Sequence, residues 1–286
     1  MNVQIVIDSA ADLPKDIQEQ YQIESVPLIV HLDDQDYLDG ETIESTTVYH
    51  AMRDGKSPKT AQATPDSFQK VFAKHAKQGK AIIYLAFSSE LSGTYQSAVI
   101  ARDQVLEEYP EADIYVIDTK AASMGCGLIA YHVAELAQQG AEVQDILDLA
   151  NHFVNNIEHI FTVDDLEYLY RGGRVSRTQA FVGSLLKIKP LLHVEEGKLV
   201  PLEKIRGSKK VLRRMVDLMQ ERGKDFDQQT IAITHGDDAE NANKLKELIQ
   251  EELNPNKVIV HSIGSAIGAH AGPGTIALFF LNEVKK

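Results

Sequence analysis

Two hundred and eighty-six residues, at roughly 150 per domain, correspond to one large domain or two ordinary ones. With 43% hydrophobic and 25% charged residues the chain is too apolar for a disordered polymer, and no apolar run approaches the ~18 residues needed to span a bilayer. A formal net charge of −13 opposes general nucleic-acid binding, and a single cysteine, Cys126, excludes an internal disulfide framework and a Cys-cluster metal site.

The first half alternates short β-rich runs with helical patterns. Val3–Ile7, Ala81–Leu85 and Asp113–Ile117 read as buried strands, whereas Val26–Asp39 reads as a strand, an acidic turn and a return. Helices are predicted over Pro14–Gln20, Thr46–Asp54, Pro65–Gln78, Ser92–Glu107, Met124–Gln138 and Val143–Asn156. This alternation implies a parallel sheet covered by helices on both faces. The first residues lack a basic flank and a small-residue cleavage site, so they do not read as a signal peptide, and a cytoplasmic protein is expected.

The second half changes pattern. Strands are expected over Ile160–Thr162, Thr230–Thr234, Val258–Ile263 and Thr275–Leu281, and a hairpin over Leu191–Val194 and Lys198–Ile205. Helices are expected over Asp165–Tyr170, Arg177–Leu186, Ser208–Arg222 (capped by Ser208) and Asp238–Leu253. Hairpins mixed with helices suggest a mixed-sheet α+β unit. The predicted domains are 1–156 and 157–286. Between Arg171 and Arg214, twelve Lys or Arg residues accompany three acids, a local net of +9. Such a zone on an acidic body is either a solvated face or a docking place for an anionic partner.

Familiar nucleotide and metal signatures are missing. No G-x-G-x-x-G follows the first strand, no P-loop or H-E-x-x-H occurs, and the ten histidines lack ligand spacing. Three local features carry chemistry instead. Ser92 and Gly93 stand at the predicted start of a helix that follows a strand, where a hydroxyl and free N–H groups favour an anion. Thr60 lies in a loop just ahead of Thr64-Pro65, which together cap the next helix and leave the Thr60 hydroxyl unused. Gly264–Gly274, with three further residues of turn type around His270, reads as a rigid turn presenting one imidazole. Asp8-Ser9 and Asp118-Thr119 end strands and are expected to bond backbone. In Arg171-Gly172-Gly173-Arg174, Gly172 is the expected left-handed residue ending a helix, while the arginines suit an oxyanion.

As an ordered set these motifs resemble the DegV family. They are Asp8-Ser9 with Asp12, Lys59-Thr60-x-Gln62, Leu91–Ala98, Asp118-Thr119, Arg171-Gly172-Gly173-Arg174 and Gly268-x-His270-x-Gly272-Pro273-Gly274. The resemblance covers essentially the whole chain. It implies a bacterial two-domain fold, with an N-terminal parallel-sheet α/β/α domain and a C-terminal mixed-sheet α+β domain, holding a long-chain fatty acid of palmitate or oleate type between them. It further implies a non-enzymatic carrier that presents the acyl carboxylate to an ATP-dependent fatty acid kinase subunit, which makes acyl phosphate for phospholipid synthesis. Thr60, Ser92 and the Gly93 backbone would hold the carboxylate, and His270 would complete the clamp. The family often carries Ser and Pro where this chain has Ala61 and Ala63. Arg171, Arg174 and Arg206 are candidate contacts to the kinase or a membrane surface, and Ala180–Leu186 is a candidate lid. No metal or other cofactor is implied. The rival readings are a serine hydrolase using Ser92, His270 and an Asp, a sugar- or nucleotide-phosphate enzyme using the same anion site, and a lipid-sensing regulator.

Overall fold

The structure is a computed structural model that describes residues 2–176 and 188–285. The first half contains β1 (Val3–Asp8), α1 (Lys15–Tyr21), β2 (Glu24–Val26), β3 (Ile29–Leu32), β4 (Gln35–Leu38), α2 (Ser45–Arg53), β5 (Lys59–Ala61), α3 (Pro65–Ala76), β6 (Ala81–Ala86), α4 (Thr94–Glu108), β7 (Ile114–Asp118), α5 (Met124–Gln138) and α6 (Val143–Asn156). The second contains β8 (Ile157–Thr162), α7 (Leu166–Arg171), β9 (Ile188–Glu195), β10 (Lys198–Arg206), α8 (Ser208–Arg222), β11 (Thr230–His235), α9 (Ala239–Leu253), β12 (Lys257–Ser262), α10 (Ser265–Ala271) and β13 (Ile276–Leu281).

β6 is a continuous apolar run and β1 is apolar except at Gln4 and Asp8, and every residue in both is buried. That composition suits the centre of a parallel sheet, where both faces are covered. The observed order is β2-β1-β6-β7, all parallel. Alternation then separates two cores. Ile5, Ile7, Ile83 and Leu85 face α5, while Val6, Ile82 and Tyr84 face Phe68 and Phe72 of α3 and Ala98 of α4. Thr64 starts α3 as predicted: its Oγ1 accepts from Ser67 N at 3.2 Å, with Pro65 next.

The second sheet has the order β10-β9-β8-β13-β11-β12, with only β11 and β12 parallel. Its outer face is covered by α8 and α9 through Met215, Val216, Leu245 and Ile249. Helix α5 is buried on almost every side because it lies between the two sheets, touching β1 and β6 on one and β8, β11 and β13 on the other. One apolar core therefore runs from Leu85 to Phe279. This is the two-domain α/β arrangement expected from the sequence. Among the described residues no helix is long and apolar enough to cross a membrane.

Four local expectations change. Thr60 is not in a loop: it lies on β5, paired with Val30 in the small antiparallel sheet β4-β3-β5. Gly264–Gly274 is not one turn, because Ser265–Ala271 forms α10 and packs on α2, β3 and β5. Gly268 allows that approach, since a Cβ there would lie 2.6 Å from the Tyr49 hydroxyl oxygen. The left-handed residue after α7 is Gly173 (φ +75°), not Gly172. Helix α8 is preceded by Gly207 at φ +99° with no side-chain cap, so Ser208 is its first helical residue. The helix and lid expected over 177–186 lie outside the described residues.

Candidate functional site

A cleft opens over the six-stranded sheet, bounded by both halves of the chain. Its unfilled space is about 830 Å³, open mouth included. Leu28, Phe87 and Leu91 line it from the first half, and Phe161, Val194, Leu199 and Phe279 from the second. Strand alternation explains the floor: His159 and Phe161 on β8 pair with Phe279 and Ala277 on β13, and all four line the cleft.

Polar groups collect at one end. Thr60 on β5 and His270 on α10 meet there, with Thr60 Oγ1 2.6 Å from His270 Nε2. Burial, reinforced by the Arg174 charge, pushes His270 down to about 4, so the imidazole is neutral at pH 7. Gly172 permits its position, because a Cβ there would lie 2.1 Å from His270 Nδ1. Ser92 lines the same cleft. It is not the residue immediately before α4, which is Gly93; instead its Oγ accepts from Thr94 N at 3.2 Å and lies 2.9 Å from Thr94 Oγ1.

Gly93 does not line the cleft. It is needed for a neighbour: a Cβ would fall 2.0 Å from Gln62 Oε1. The Gln62 carboxamide passes over it and donates to Ser97 Oγ at 2.8 Å. Arg174 turns inward, donating from Nε to Leu91 O at 3.1 Å and from Nη1 to Gly172 O. Burial holds its guanidinium below the ordinary arginine range. Arg171 is exposed and paired with Glu167 at 3.0 Å, and Arg206 is exposed at the end of β10.

Thr60, His270 and Arg174 form a partition. They line the apolar cleft on one side and, on the other, an outer recess that also includes Lys59, Tyr168 and Arg171. Thr60, Ser92, His270 and Arg174 are thus brought together; Arg206 is not among the residues lining either space. The strand-end acids bond backbone as expected: Asp8 accepts from Phe87 N at 2.9 Å and Asp118 from Ser89 N at 3.1 Å.

Sequence reasoning missed His159 and Ser123. His159 is 3% exposed, and burial pushes it down to about 4, leaving a neutral ring. Its Nε2 accepts from Ala122 N at 3.2 Å. The i, i+2 spacing of His159 and Phe161 was the available signal, since it places both on one face of β8. Ser123 lines the cleft at φ +51°, a conformation uncommon for a non-glycine residue.

These features define an α/β protein with an apolar cleft over its mixed sheet, bounded by Thr60, a neutral His270 and Arg174. The chain belongs to the DegV family: the family's sequence model, described as an uncharacterised protein family, matches residues 2–283. A DegV domain-containing protein of Clostridium perfringens is 42% identical over 285 residues, covering 99% of this chain and 98% of the relative. A DegV family protein from Thermus thermophilus, described by its fatty acid binding, superposes with a TM-score of 0.90 at 30% identity, over 98% of this chain and 99% of the other. A stearic acid-binding protein from Eubacterium ventriosum superposes at 0.88 with 27% identity, over 98% of both chains.

Proposed function

We propose that this protein binds a long-chain fatty acid, with the hydrocarbon in the cleft and the carboxylate at Thr60, Ser92 and His270. The single observation that carries the reading is an apolar cleft ending at the Thr60–His270 pair. About twelve buried methylenes at ~0.8 kcal/mol each would contribute roughly 10 kcal/mol before ordering costs. The head group then needs orientation and paired hydrogen bonds more than raw affinity. If His270 Nε2–H donates to Thr60 Oγ1, the Thr60 hydroxyl proton is left for a carboxylate oxygen. If the Thr94 hydroxyl likewise donates to Ser92 Oγ, which also accepts from Thr94 N–H, the Ser92 proton is left for the second oxygen. Two polarised hydroxyls suit an anion without placing a fixed positive charge directly on it.

The partition supports a further reading: a carrier that exposes the carboxylate to an ATP-dependent fatty acid kinase subunit, which forms acyl phosphate for phospholipid synthesis. A carboxylate at Thr60 and His270 would stand between the lipid cleft and the outer recess, where Lys59 and Arg171 offer positive charge to a phosphoryl donor or partner. Arg174 then acts from within the partition, while Arg171 and Arg206 remain candidates for partner or membrane contact in the cytoplasm. We assign 1–156 and 157–286 as the two domains, with the ligand between them. The hydrolase reading has less support: among the described residues no hydrogen bond joins Ser92 to His270, whose Nε2 meets Thr60 instead.

Solvent extraction of freshly purified protein followed by mass spectrometry tests the binding. A stoichiometric long-chain fatty acid is expected, and palmitate should raise the melting temperature of delipidated protein. Absence of lipid together with an unchanged melting temperature would contradict the reading. Formation of acyl phosphate from bound palmitate, ATP and a cognate kinase tests the carrier role; the same reaction proceeding equally without this protein would refute it.

A further inference from the structure

Helix α10 carries His270 but has no cap of its own. The residue before it is Gly264, which offers no side chain to the first free N–H groups. Two carboxylates from distant parts of the chain meet them instead. Asp12 Oδ1 accepts from Gly264 N at 2.8 Å, and Asp39 Oδ1 accepts from Ser265 N at 2.9 Å. Both acids lie in loops of the first half, one after β1 and one after β4, while α10 belongs to the second.

Holding two carboxylates out of water is costly. Asp12 is 6% exposed and Asp39 is 4% exposed. Burial raises both pKa values, Asp12 to about 8. Ser123 Oγ donates to the other Asp12 oxygen at 2.5 Å and lies 3.2 Å from Thr234 Oγ1, which fixes that carboxylate. Seven residues are too few for a helix to hold its own register, so α10 depends on what grips its ends and flanks. Tyr49 grips the approach by donating to Ile263 O at 3.2 Å. A slip of one residue would turn every side chain of α10 by about 100° and move it about 1.5 Å along the axis. Either change would separate His270 from Thr60.

We propose that Asp12 and Asp39 are positioning residues for the lipid head group: by gripping Gly264 N and Ser265 N they set the register of α10 and thereby aim His270 at Thr60 and the bound carboxylate. This rests on the fatty acid reading given above. The two acids also tie the first half of the chain to the helix that completes the clamp.

The test compares palmitate with hexadecanol, which shares the chain but lacks the carboxylate, by equilibrium binding to the delipidated full chain. Wild-type protein should prefer palmitate. Asp39→Ala should reduce that preference at least tenfold while changing hexadecanol affinity less than threefold. Asp39→Asn keeps an oxygen for Ser265 N and should retain the preference within threefold. Ser265→Pro removes the N–H that Asp39 accepts, at a first helical position that tolerates proline, and should behave like Asp39→Ala. Circular dichroism confirms folding of each variant. A folded Asp39→Ala or Ser265→Pro protein with wild-type preference overturns the proposal. So does loss of preference in Asp39→Asn, which also decides the matter if the other two fail to fold. A wild-type chain that binds both lipids equally contradicts the fatty acid reading itself.

Discussion

Replacing Thr60 by valine isolates the head-group clamp. The change removes one hydroxyl and leaves the side chain close to its original shape, so the cleft walls formed by Phe161, Leu199 and Phe279 keep their contacts. Two consequences follow. In the unliganded protein His270 Nε2 loses its partner at 2.6 Å. A partly buried nitrogen left unpaired costs about 1–3 kcal/mol, so the melting temperature should fall by several degrees. In the complex, a hydrogen bond to a charged carboxylate is lost, worth about 1.5–3 kcal/mol. At 1.36 kcal/mol per decade that weakens palmitate roughly 10- to 150-fold. Hexadecanol, which presents no carboxylate, should weaken less than threefold. Isothermal titration of both lipids into delipidated protein measures each effect. A folded Thr60→Val protein that binds palmitate within twofold of wild type would refute the reasoning, because Thr60 would then not touch the head group.

Gly172→Ala should act through His270. The backbone there is helical (φ −70°), so alanine is locally acceptable, but its Cβ would meet His270 Nδ1 at 2.1 Å; palmitate affinity should drop at least tenfold, and an unchanged titration would show that the ring is free to move aside. Ala277→Phe should fill the cleft floor beside Phe161 and Phe279. Palmitate binding should vanish while octanoate still binds, at a stability cost of about 1–3 kcal/mol; equal retention of palmitate would locate the chain elsewhere.

Stability should also peak near pH 6–7. His132, His159 and His270 are each pushed down to about 4 from 6.5 by burial, so the unfolded chain binds more protons between those values and stability rises with pH there. Asp8 and Asp12 are raised by burial from 3.8 to about 6 and about 8, so the folded chain holds the extra protons and their contribution falls as pH rises through those windows. Above pH 6.5 the histidine contribution is complete and the Asp12 decline remains. Asp12→Asn should flatten the loss between pH 6.5 and 8 in urea melts. Parallel wild-type and variant curves across that range would count against the buried, proton-holding Asp12.

The sequence made the larger elements readable for a physical reason. β6 is an unbroken apolar run, β1 is apolar at Val3 and over Ile5–Ile7, and α5 and α6 carry long helical patterns, so local composition and tertiary burial agree. The site was less readable because its parts are short and held from afar. β5 is three residues, Lys-Thr-Ala, and becomes a strand only beside β3. Ser265–Ala271 is small and glycine-interrupted, and its helix depends on Asp12, Asp39 and Tyr49. Hence Thr60 and His270 could be named as candidates from motifs, while their 2.6 Å meeting could not be derived from local pattern. Arg174 shows the same limit: a basic residue in a basic zone reads as surface, yet the Leu91 and Gly172 carbonyls draw it into the partition.

A crystal structure of the delipidated protein loaded with palmitate tests the central claim most directly. One carboxylate should lie within hydrogen-bond distance of the Thr60 and Ser92 hydroxyls and beside His270, with the hydrocarbon running past Phe161 and Phe279. Density for the lipid outside this cleft, or a carboxylate turned away from all three side chains, would contradict the account.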